Sequence, residues 1–301
     1  MPEWIVEAGI GETRAARIEQ GEIVEARVRR DGVTPAGTIL EAKLVAIAPR
    51  VTVDAGGEQF LLPHGVSGIS EGKSLFVEVT REALGGSEPW KRGLARRTDQ
   101  LPRPAPPLAD GRPGTIDGWD DLLDEARSGL IRFDGGELRI EPTAAMAMID
   151  VDGWLVPDKL AQMAAWAAAR AIARLDLGGS TGIDFPGLRG KVDRVAVDAI
   201  LDDYLPKPFE RTAMNGFGFV QIVRPRARAS LIELARDRAP FEARALLRRA
   251  GIAIGATTLT AHPAVIGAIR PEWSAALERQ IGGAVTLHPD PALAISAGHV
   301  H

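Results

Sequence analysis

Two apolar runs that each end in aspartate, one on either side of an alanine-rich stretch, are the feature that most constrains the fold. The first run ends in Ile149-Asp150-Val151-Asp152-Gly153 and the second in Gly182-Ile183-Asp184-Phe185. Residues 157–175 between them have the length and composition of one helix, and Leu177-Gly178-Gly179 is typical of a turn. A strand-helix-strand unit returns the chain to the same edge of a parallel sheet. We therefore expect both strand ends to face one cleft.

The side chains at these strand ends indicate a cation site. Carboxylate oxygens are the ligands that hard divalent cations such as Mg²⁺ prefer, and little basic charge lies beside Asp150 and Asp184 in the sequence. Such an ion is typical of phosphate chemistry. The residues alone also allow the common alternative, in which an aspartate at a strand end is a turn or capping residue. Asp152 can be interpreted in two ways, as a residue of the cation site or as a solvated turn residue before Gly153.

Composition excludes several classes of site. The chain of 301 residues contains no cysteine, so disulfides, thiolate zinc sites and cysteine nucleophiles are ruled out. The formal net charge of −4 argues against a protein that coats nucleic acid by bulk charge, although a local basic groove remains open. No stretch approaches the roughly 20 apolar residues of a membrane span, and the N-terminus lacks a signal-peptide pattern. We expect a soluble, cytoplasmic protein without membrane contact.

The pattern of turns and periodicity predicts an α/β and β multi-domain chain. Residues 1–97 are short alternating runs separated by turn residues, which favours a small barrel or sandwich, with an OB-fold as one candidate. Residues 98–115 are rich in proline and form a predicted linker. Residues 116–235 are a predicted α/β domain that opens with a helix at 119–128 and a hairpin turning at 134–136. Residues 236–301 are predicted to form a small α+β module.

Three ordered motifs make the chain resemble the ribonuclease E/G family of bacterial endoribonucleases. Ile149-Asp150-Val151-Asp152 matches the family's I-D-[IV]-N, Asp176-Leu177-Gly178-Gly179 matches D-L-G-G, and Ile183-Asp184-Phe185 matches I-D-F. Residues 217–226 resemble the family's F-G-L-x-E-M-[ST]-R-x-R strand. The resemblance spans nearly the whole chain, and the acidic motifs are its specific part.

The resemblance implies a fold and a chemistry. It implies an N-terminal OB-fold, a DNase-I-like catalytic domain, and a small C-terminal domain through which family members form dimers. It also implies that Asp150 and Asp184 hold one Mg²⁺ ion, which activates water to cut single-stranded RNA into 5′-phosphate and 3′-hydroxyl ends. Asp152 stands where the family has asparagine, and its charge would either strengthen metal binding or repel the phosphate.

The chain departs from the family in two regions that control regulation and assembly. The family's long insertion, which carries the sensor for an RNA 5′-monophosphate and a ribonuclease-H-like subdomain, is replaced by the proline-rich linker alone. We therefore expect little stimulation by a 5′-monophosphate. The cysteine pair that joins subunits through zinc is absent, so no zinc is expected, and a homodimer through the small domain stays open.

Basic and aromatic residues give candidate contacts for RNA. Arg224, Arg226 and Arg228 alternate at the end of a strand, so they either share one face toward phosphates or form a solvated rim. Arg211 is a further candidate. The aromatic positions of the family's RNA-binding barrel face are replaced near Thr52 and Leu61. The remaining candidates in the barrel segment are Phe60, Lys91 and Arg92. The two cations could line an RNA path, although a solvated charge run is the more common explanation of such residues.

Three functional hypotheses follow from these residues. The first is a Mg²⁺-dependent endoribonuclease that acts on single-stranded RNA in RNA processing or decay. The second is a non-catalytic RNA-binding protein derived from such a nuclease. The third is a metal-dependent phosphohydrolase that acts on small nucleotides.

Overall fold

The computed structural model describes residues 3–85, 88 and 90–301, and within them the chain is mixed α/β. The first nine strands are β1 (Glu3–Ala8), β2 (Glu12–Glu19), β3 (Glu22–Arg30), β4 (Ile39–Ala46), β5 (Thr52–Ala55), β6 (Glu58–Leu61), β7 (Ser74–Arg81), β8 (Gly93–Arg97) and β9 (Arg112–Pro113). The later strands are β10 (Leu130–Phe133), β11 (Gly136–Pro142), β12 (Ala147–Gly153), β13 (Gly179–Asp184), β14 (Glu210–Arg211), β15 (Phe219–Arg224), β16 (Thr257–Ala261), β17 (Val285–Pro289) and β18 (His299–Val300). The helices are α1 (Trp119–Ser128), α2 (Pro157–Arg174), α3 (Lys191–Tyr204), α4 (Leu231–Arg236), α5 (Arg238–Ala250), α6 (Pro263–Ala268) and α7 (Pro271–Ile281).

The chain forms two compact units, and each is assembled from separate segments. Unit 1 contains the described residues of Met1–Asp31, Leu108–Gly129 and Leu231–His301, and unit 2 contains those of Gly32–Pro107 and Leu130–Ser230. The strands before Asp31 therefore associate with the C-terminal helices rather than with the barrel strands that follow them. Whether the predicted segments 1–97, 98–115, 116–235 and 236–301 act as domains stays a prediction.

Unit 1 contains two sheets and a buried cluster of ion pairs. Its strands run in the order β3-β2-β1-β9, and a second sheet has the order β17-β16-β18. The Arg14 side chain is only 1% exposed and pairs with Glu7 at 2.8 Å and with Glu12 at 2.7 Å. Arg248 of α5 reaches the same Glu7 at 2.8 Å. Buried charges are tolerated only when they are paired in this way, so these contacts fix α5 to the N-terminal strands.

Unit 2 contains a closed five-stranded barrel. The strand order is β4-β5-β6-β8-β7, closed by pairing of β7 with β4, and β6 with β8 is its parallel pair. Alternate side chains of β7 point inward, so that Leu75, Val77 and Val79 are buried together with Phe60. This period-2 alternation is what a strand with one face on a core requires. Closure leaves no free strand edge in the barrel.

Unit 2 also contains a six-stranded mixed sheet with the order β10-β11-β12-β13-β15-β14. β12 and β13 are parallel, and α2 connects them as the crossover. The inner side of α2 is made of small residues, and Ala161, Ala164, Ala165 and Ala168 are fully buried. Their size lets the helix approach the sheet closely. The predicted helices at 119–128 and 157–175 and the predicted hairpin at 134–136 are confirmed by α1, α2 and the β10–β11 pair.

The turn between α2 and β13 is braced by the segment that follows β15. Asp176 adopts a left-handed backbone conformation with φ of 52°. Arg228 pairs with the Asp176 carboxylate at 2.9 Å, and Arg224 donates to the Leu177 carbonyl at 2.8 Å. Gly178 lies directly against this segment, because a Cβ atom there would sit 2.8 Å from the Pro225 carbonyl oxygen. The turn therefore starts β13 at one defined residue.

This close approach predicts that Gly178→Ala destabilises the protein. The added methyl group meets backbone rather than a flexible side chain, so we expect a loss of about 1–3 kcal/mol in the free energy of unfolding. Chemical denaturation followed by circular dichroism measures it. Gly187→Ala is the matched control, since a Cβ atom there meets nothing within 4 Å. Equal stability of the two variants would contradict the tight contact at the turn.

Candidate functional site

Asp150 and Asp184 lie directly opposite each other on neighbouring strands. The parallel register of β12 and β13 pairs Asp150 with Asp184, just as it pairs Ile149 with Ile183. The two isoleucines are fully buried under the sheet, and the two aspartates are exposed. Neighbouring strands are about 4.8 Å apart. The backbone therefore brings these two carboxylates to one place on the open face of the sheet.

Asp152, on the same strand as Asp150, and two residues of the neighbouring strand β11 complete this face. Asp152 lies two residues beyond Asp150 and is exposed on the same side of β12. The antiparallel register with β11 places Arg139 opposite Asp150 and Glu137 opposite Asp152. Arg139 is half-exposed and lies 3.3 Å from Glu137. We call Arg139, Asp150, Asp152 and Asp184 the acidic face. Sequence reasoning missed Arg139, although its alternation with Leu138 and Ile140 on a strand was a usable signal.

The electrostatics of the acidic face are unfavourable for three ionised carboxylates. Burial raises the pKa of Asp150, and the negative charges of Asp152 and Asp184 raise it further. A hydrogen bond from the Val151 backbone and the charge of Arg139 oppose this rise without cancelling it. The face therefore carries surplus negative charge that a cation would relieve.

The donor set suits a cation that keeps part of its water shell. Among the described residues, no group of three or more His, Cys, Asp or Glu side chains is arranged to hold a metal ion by itself. Mg²⁺ is usually held by one or two carboxylates together with water and substrate phosphate, not by a cage made only of protein. Asp150 and Asp184 fit that type of site, while Asp152 adds charge beside it.

The three arginines at the end of β15 and just after it make contacts within the fold. Arg224 and Arg228 brace the turn at Leu177 and Asp176, and Arg226 lies 3.6 Å from Glu88. The side chains of Arg226 and Arg228 are each only 19% exposed. These contacts explain the three side chains within the fold, and the expected contact of this face with phosphates stays a prediction.

Arg211 is likewise committed to an internal contact. It pairs with Asp198 at 2.6 Å and with Asp202 at 2.7 Å, both on α3, and its side chain is 12% exposed. This arrangement fixes β14 against α3. The hydrogen bond from Arg211 lowers the pKa of Asp202. Arg211 therefore has a structural explanation in place of the expected RNA contact.

The three RNA contacts predicted in the barrel segment differ in their surroundings: one side chain is buried, one is paired with a carboxylate and one is exposed to solvent. The Phe60 ring is fully buried in the barrel core, so it offers no face to a base and the expected contact is corrected. Lys91 pairs with Glu88 at 2.5 Å. Arg92 is exposed, and no carboxylate of the described residues pairs with it. Of the three predicted barrel contacts, Arg92 is the one that the structure leaves open to solvent.

A groove on the barrel collects residues that sequence reasoning did not single out. Two adjoining depressions have volumes of about 450 and 380 Å³. Trp90 is 70% exposed in the second one, beside Arg50 and Arg92. Both depressions are lined by Pro49, Arg50 and Leu61. We call this feature the barrel groove. Trp90 directly before Lys91 and Arg92 was a signal for it in the sequence.

Comparison with known proteins adds no assignment. No protein-family model matches the chain, and no curated protein sequence matches it. Within the part of the chain that the structure describes, none of the helices combines the length and apolar character needed to cross a membrane.

The acidic face predicts that Asp152→Asn lowers the pKa of Asp150. Removing a neighbouring negative charge makes ionisation of Asp150 less costly, so its titration moves to lower pH. ¹³C NMR titration of the Asp150 carboxyl carbon without divalent cations measures this shift. Asp203→Asn, an exposed position on α3, is the control and leaves the titration unchanged. An unchanged pKa in Asp152→Asn would show that the two charges do not interact.

The Arg211 contacts predict a pH-dependent loss of stability in Arg211→Ala. At neutral pH two carboxylates lose their partner, which we expect to cost about 1–3 kcal/mol of unfolding free energy. Because the folded pKa of Asp202 is lowered, its contribution is present above the unfolded value and is lost as the pH falls through the folded value. The difference from wild type should therefore shrink below about pH 4. Urea denaturation across this range measures it, with exposed Arg189→Ala as control.

Proposed function

We propose that this protein is a Mg²⁺-dependent endoribonuclease of the ribonuclease E/G type. It hydrolyses phosphodiester bonds in single-stranded RNA to 5′-phosphate and 3′-hydroxyl ends, as part of cytoplasmic RNA processing or decay. The observation that carries the proposal is the register of β12 and β13, which places Asp150 opposite Asp184 on an exposed face. These two residues belong to motifs that stand in the order found in that family.

The division of work on the acidic face follows from its charges. Asp150 and Asp184 would hold the cation through hard carboxylate oxygens. The bound ion supplies an activated water and neutralises charge on the phosphate. Arg139, opposite Asp150, presents guanidinium donors that suit a phosphate oxygen. Asp152 adds a negative charge where the family has a neutral amide, and this charge repels the RNA phosphate. The approach of the substrate therefore depends more strongly on the bound cation in this protein than in the family.

The barrel supports the RNA-binding part of the proposal. A closed five-stranded barrel with one parallel pair is the arrangement of an OB-fold, which binds oligonucleotides through its second and third strands and adjoining loops. The corresponding strands here are β5 and β6. The loop before β5 carries Arg50, and the loop before β8 carries Trp90 and Arg92. Exposed cations beside an aromatic ring suit single-stranded nucleic acid.

A specific observation favours the second candidate, a non-catalytic RNA-binding protein. The barrel groove does not depend on the acidic face, and the charge of Asp152 disfavours a phosphate on that face when no cation is present. The mixed sheet, for which the family resemblance implies a DNase-I-like domain, would then serve as a scaffold. Cleavage assays separate this candidate from the first.

The proposal predicts that Asp150→Asn and Asp184→Asn each abolish most of the cleavage activity. Each variant loses one charged cation ligand, and we expect the rate on labelled single-stranded RNA with Mg²⁺ to fall by about 10²–10³-fold, as for other groups that stabilise transition-state charge. Gel analysis of the products measures the rate and the end groups. Asp203→Asn is the matched control, because it makes the same chemical change at an exposed position on α3.

Each alternative outcome identifies a different function. If wild type cuts no better than the double variant while both bind RNA, the nuclease proposal fails and the binding protein stands. Hydrolysis of mononucleotides without cleavage of RNA would indicate the small-nucleotide phosphohydrolase. Substrates with 5′-monophosphate and 5′-hydroxyl ends should be cut at equal rates, since no sensor segment is expected.

A further inference from the structure

Two large aromatic side chains are exposed at the edge of the sheet that carries the acidic face. Trp154 is 80% exposed and follows Asp152 by two residues. Phe217 is 88% exposed and precedes Phe219, the residue of β15 that pairs with Asp184. A ring left in water gains none of the free energy that burial of its apolar surface would provide. Two of them beside one charged face therefore call for an explanation.

Both rings stand on ordered turns. The Trp154 backbone N–H donates to the Gly135 carbonyl at 3.1 Å, which ties the end of β12 to the β10–β11 turn. The Phe217 N–H donates to the Asn215 side chain at 2.9 Å, and the Phe219 N–H donates to the same oxygen at 3.0 Å. The backbone that carries each ring is thus held by local hydrogen bonds.

Asp184 lies on the strand between the two strands that adjoin the rings. The strand order places β12, which ends in Asp152 and leads to Trp154, on one side of β13. β15, which Phe217 precedes, lies on the other side. Asp184 at the end of β13 is therefore flanked by both. Two strand spacings, or about 10 Å, separate the backbones that carry the rings.

We propose that Trp154 and Phe217 are stacking platforms for the unpaired bases on either side of the phosphodiester that approaches Asp150 and Asp184. This inference rests on the proposed function and assigns its positioning residues. An aromatic face stacks on any nucleobase, and such contacts stabilise the binding of single strands whatever their sequence. They act without charge, which matters on a face whose carboxylates repel the RNA backbone.

The same contacts explain why the site would prefer single strands. Bases within a duplex are already stacked on their neighbours and paired, so they cannot also stack on rings fixed at a sheet edge. An unpaired segment offers its bases without that cost. Strand preference would thus arise beside the acidic face itself, in addition to any contribution from the barrel groove.

The test is binding of a short fluorescent single-stranded RNA, followed by anisotropy. It uses the full chain carrying Asp150→Asn, with Mg²⁺ present, so that cleavage does not consume the RNA. Adding Trp154→Ala or Phe217→Ala should raise Kd roughly 5- to 150-fold, the equivalent of about 1–3 kcal/mol per base. The slope of log Kd against log salt should stay constant, because no phosphate contact is lost.

Tyr204→Ala is the matched control and should leave Kd unchanged. Tyr204 is an aromatic residue that is 55% exposed, and it ends α3. It lies near Pro206, whose carbonyl accepts from Arg224 at the far end of β15. Trp154→Tyr should keep most of the affinity and Trp154→Leu should lose it. This pair keeps the test decisive if the alanine variant folds poorly.

Abasic RNA locates the stacked bases and completes the test. A single abasic nucleotide moved along the RNA should weaken binding to the protein at one or two positions. At one of these positions, the affinity of Trp154→Ala should be the same for abasic and intact RNA. Equal affinity of Trp154→Ala, Phe217→Ala and Tyr204→Ala would overturn the stacking proposal, even if the wild type cuts RNA. If Trp154→Ala abolishes the effect of the abasic nucleotide at one position while the wild type never cuts RNA, the stacking proposal stands and the nuclease proposal fails.

Discussion

The parallel pairing of β12 with β13 is the constraint on which the rest of the candidate site depends. A shift of one residue in this register would turn Asp184 into the core and expose Ile183, because side chains alternate along a strand. Two features prevent that shift. The alanines of α2 let the crossover helix lie close to the sheet, and the braced turn at Asp176 and Gly178 starts β13 at a fixed residue. The arginines after β15 thus serve the acidic face indirectly.

The acidic face combines charge repulsion with positional rigidity. The register of β12 and β13 holds the Asp150 carboxylate near other negative charges, and these charges together with partial burial raise its pKa. Like charges held close together disfavour the ionised state of each carboxylate, and a bound cation would relieve this repulsion. The exposed rings of Trp154 and Phe217 have the same character, since each would be more stable if covered. Repelling carboxylates and exposed aromatic rings therefore occur together at one edge of the mixed sheet.

The sequence predicted the parts of this structure that depend on local patterns. Helix α2, the β10–β11 hairpin and the two Asp-ended strands follow from periodicity and turn residues within short windows. The roles of Arg224 and Arg228 could not be predicted, because their partners at Leu177 and Asp176 lie 47 and 52 residues away. The orientation of Phe60 was also undetermined, since alternation defines two strand faces without saying which one turns inward. The pairing of the first strands with α5 is a long-range contact of the same kind.

The ion pair between Arg248 and Glu7 joins residues that the ribosome synthesises at very different times. Unit 1 draws on residues before 32, residues 108–129 and residues after 230, so its first strands are made long before helices α4 to α7. At about 5–20 residues per second, synthesis of residues 32–230 takes roughly 10–40 s. During that interval Arg14 has Glu7 and Glu12 nearby but no α5. Residues 3–31 therefore wait for their C-terminal partners in unit 1, whereas every residue of unit 2 has been made once residue 230 is reached.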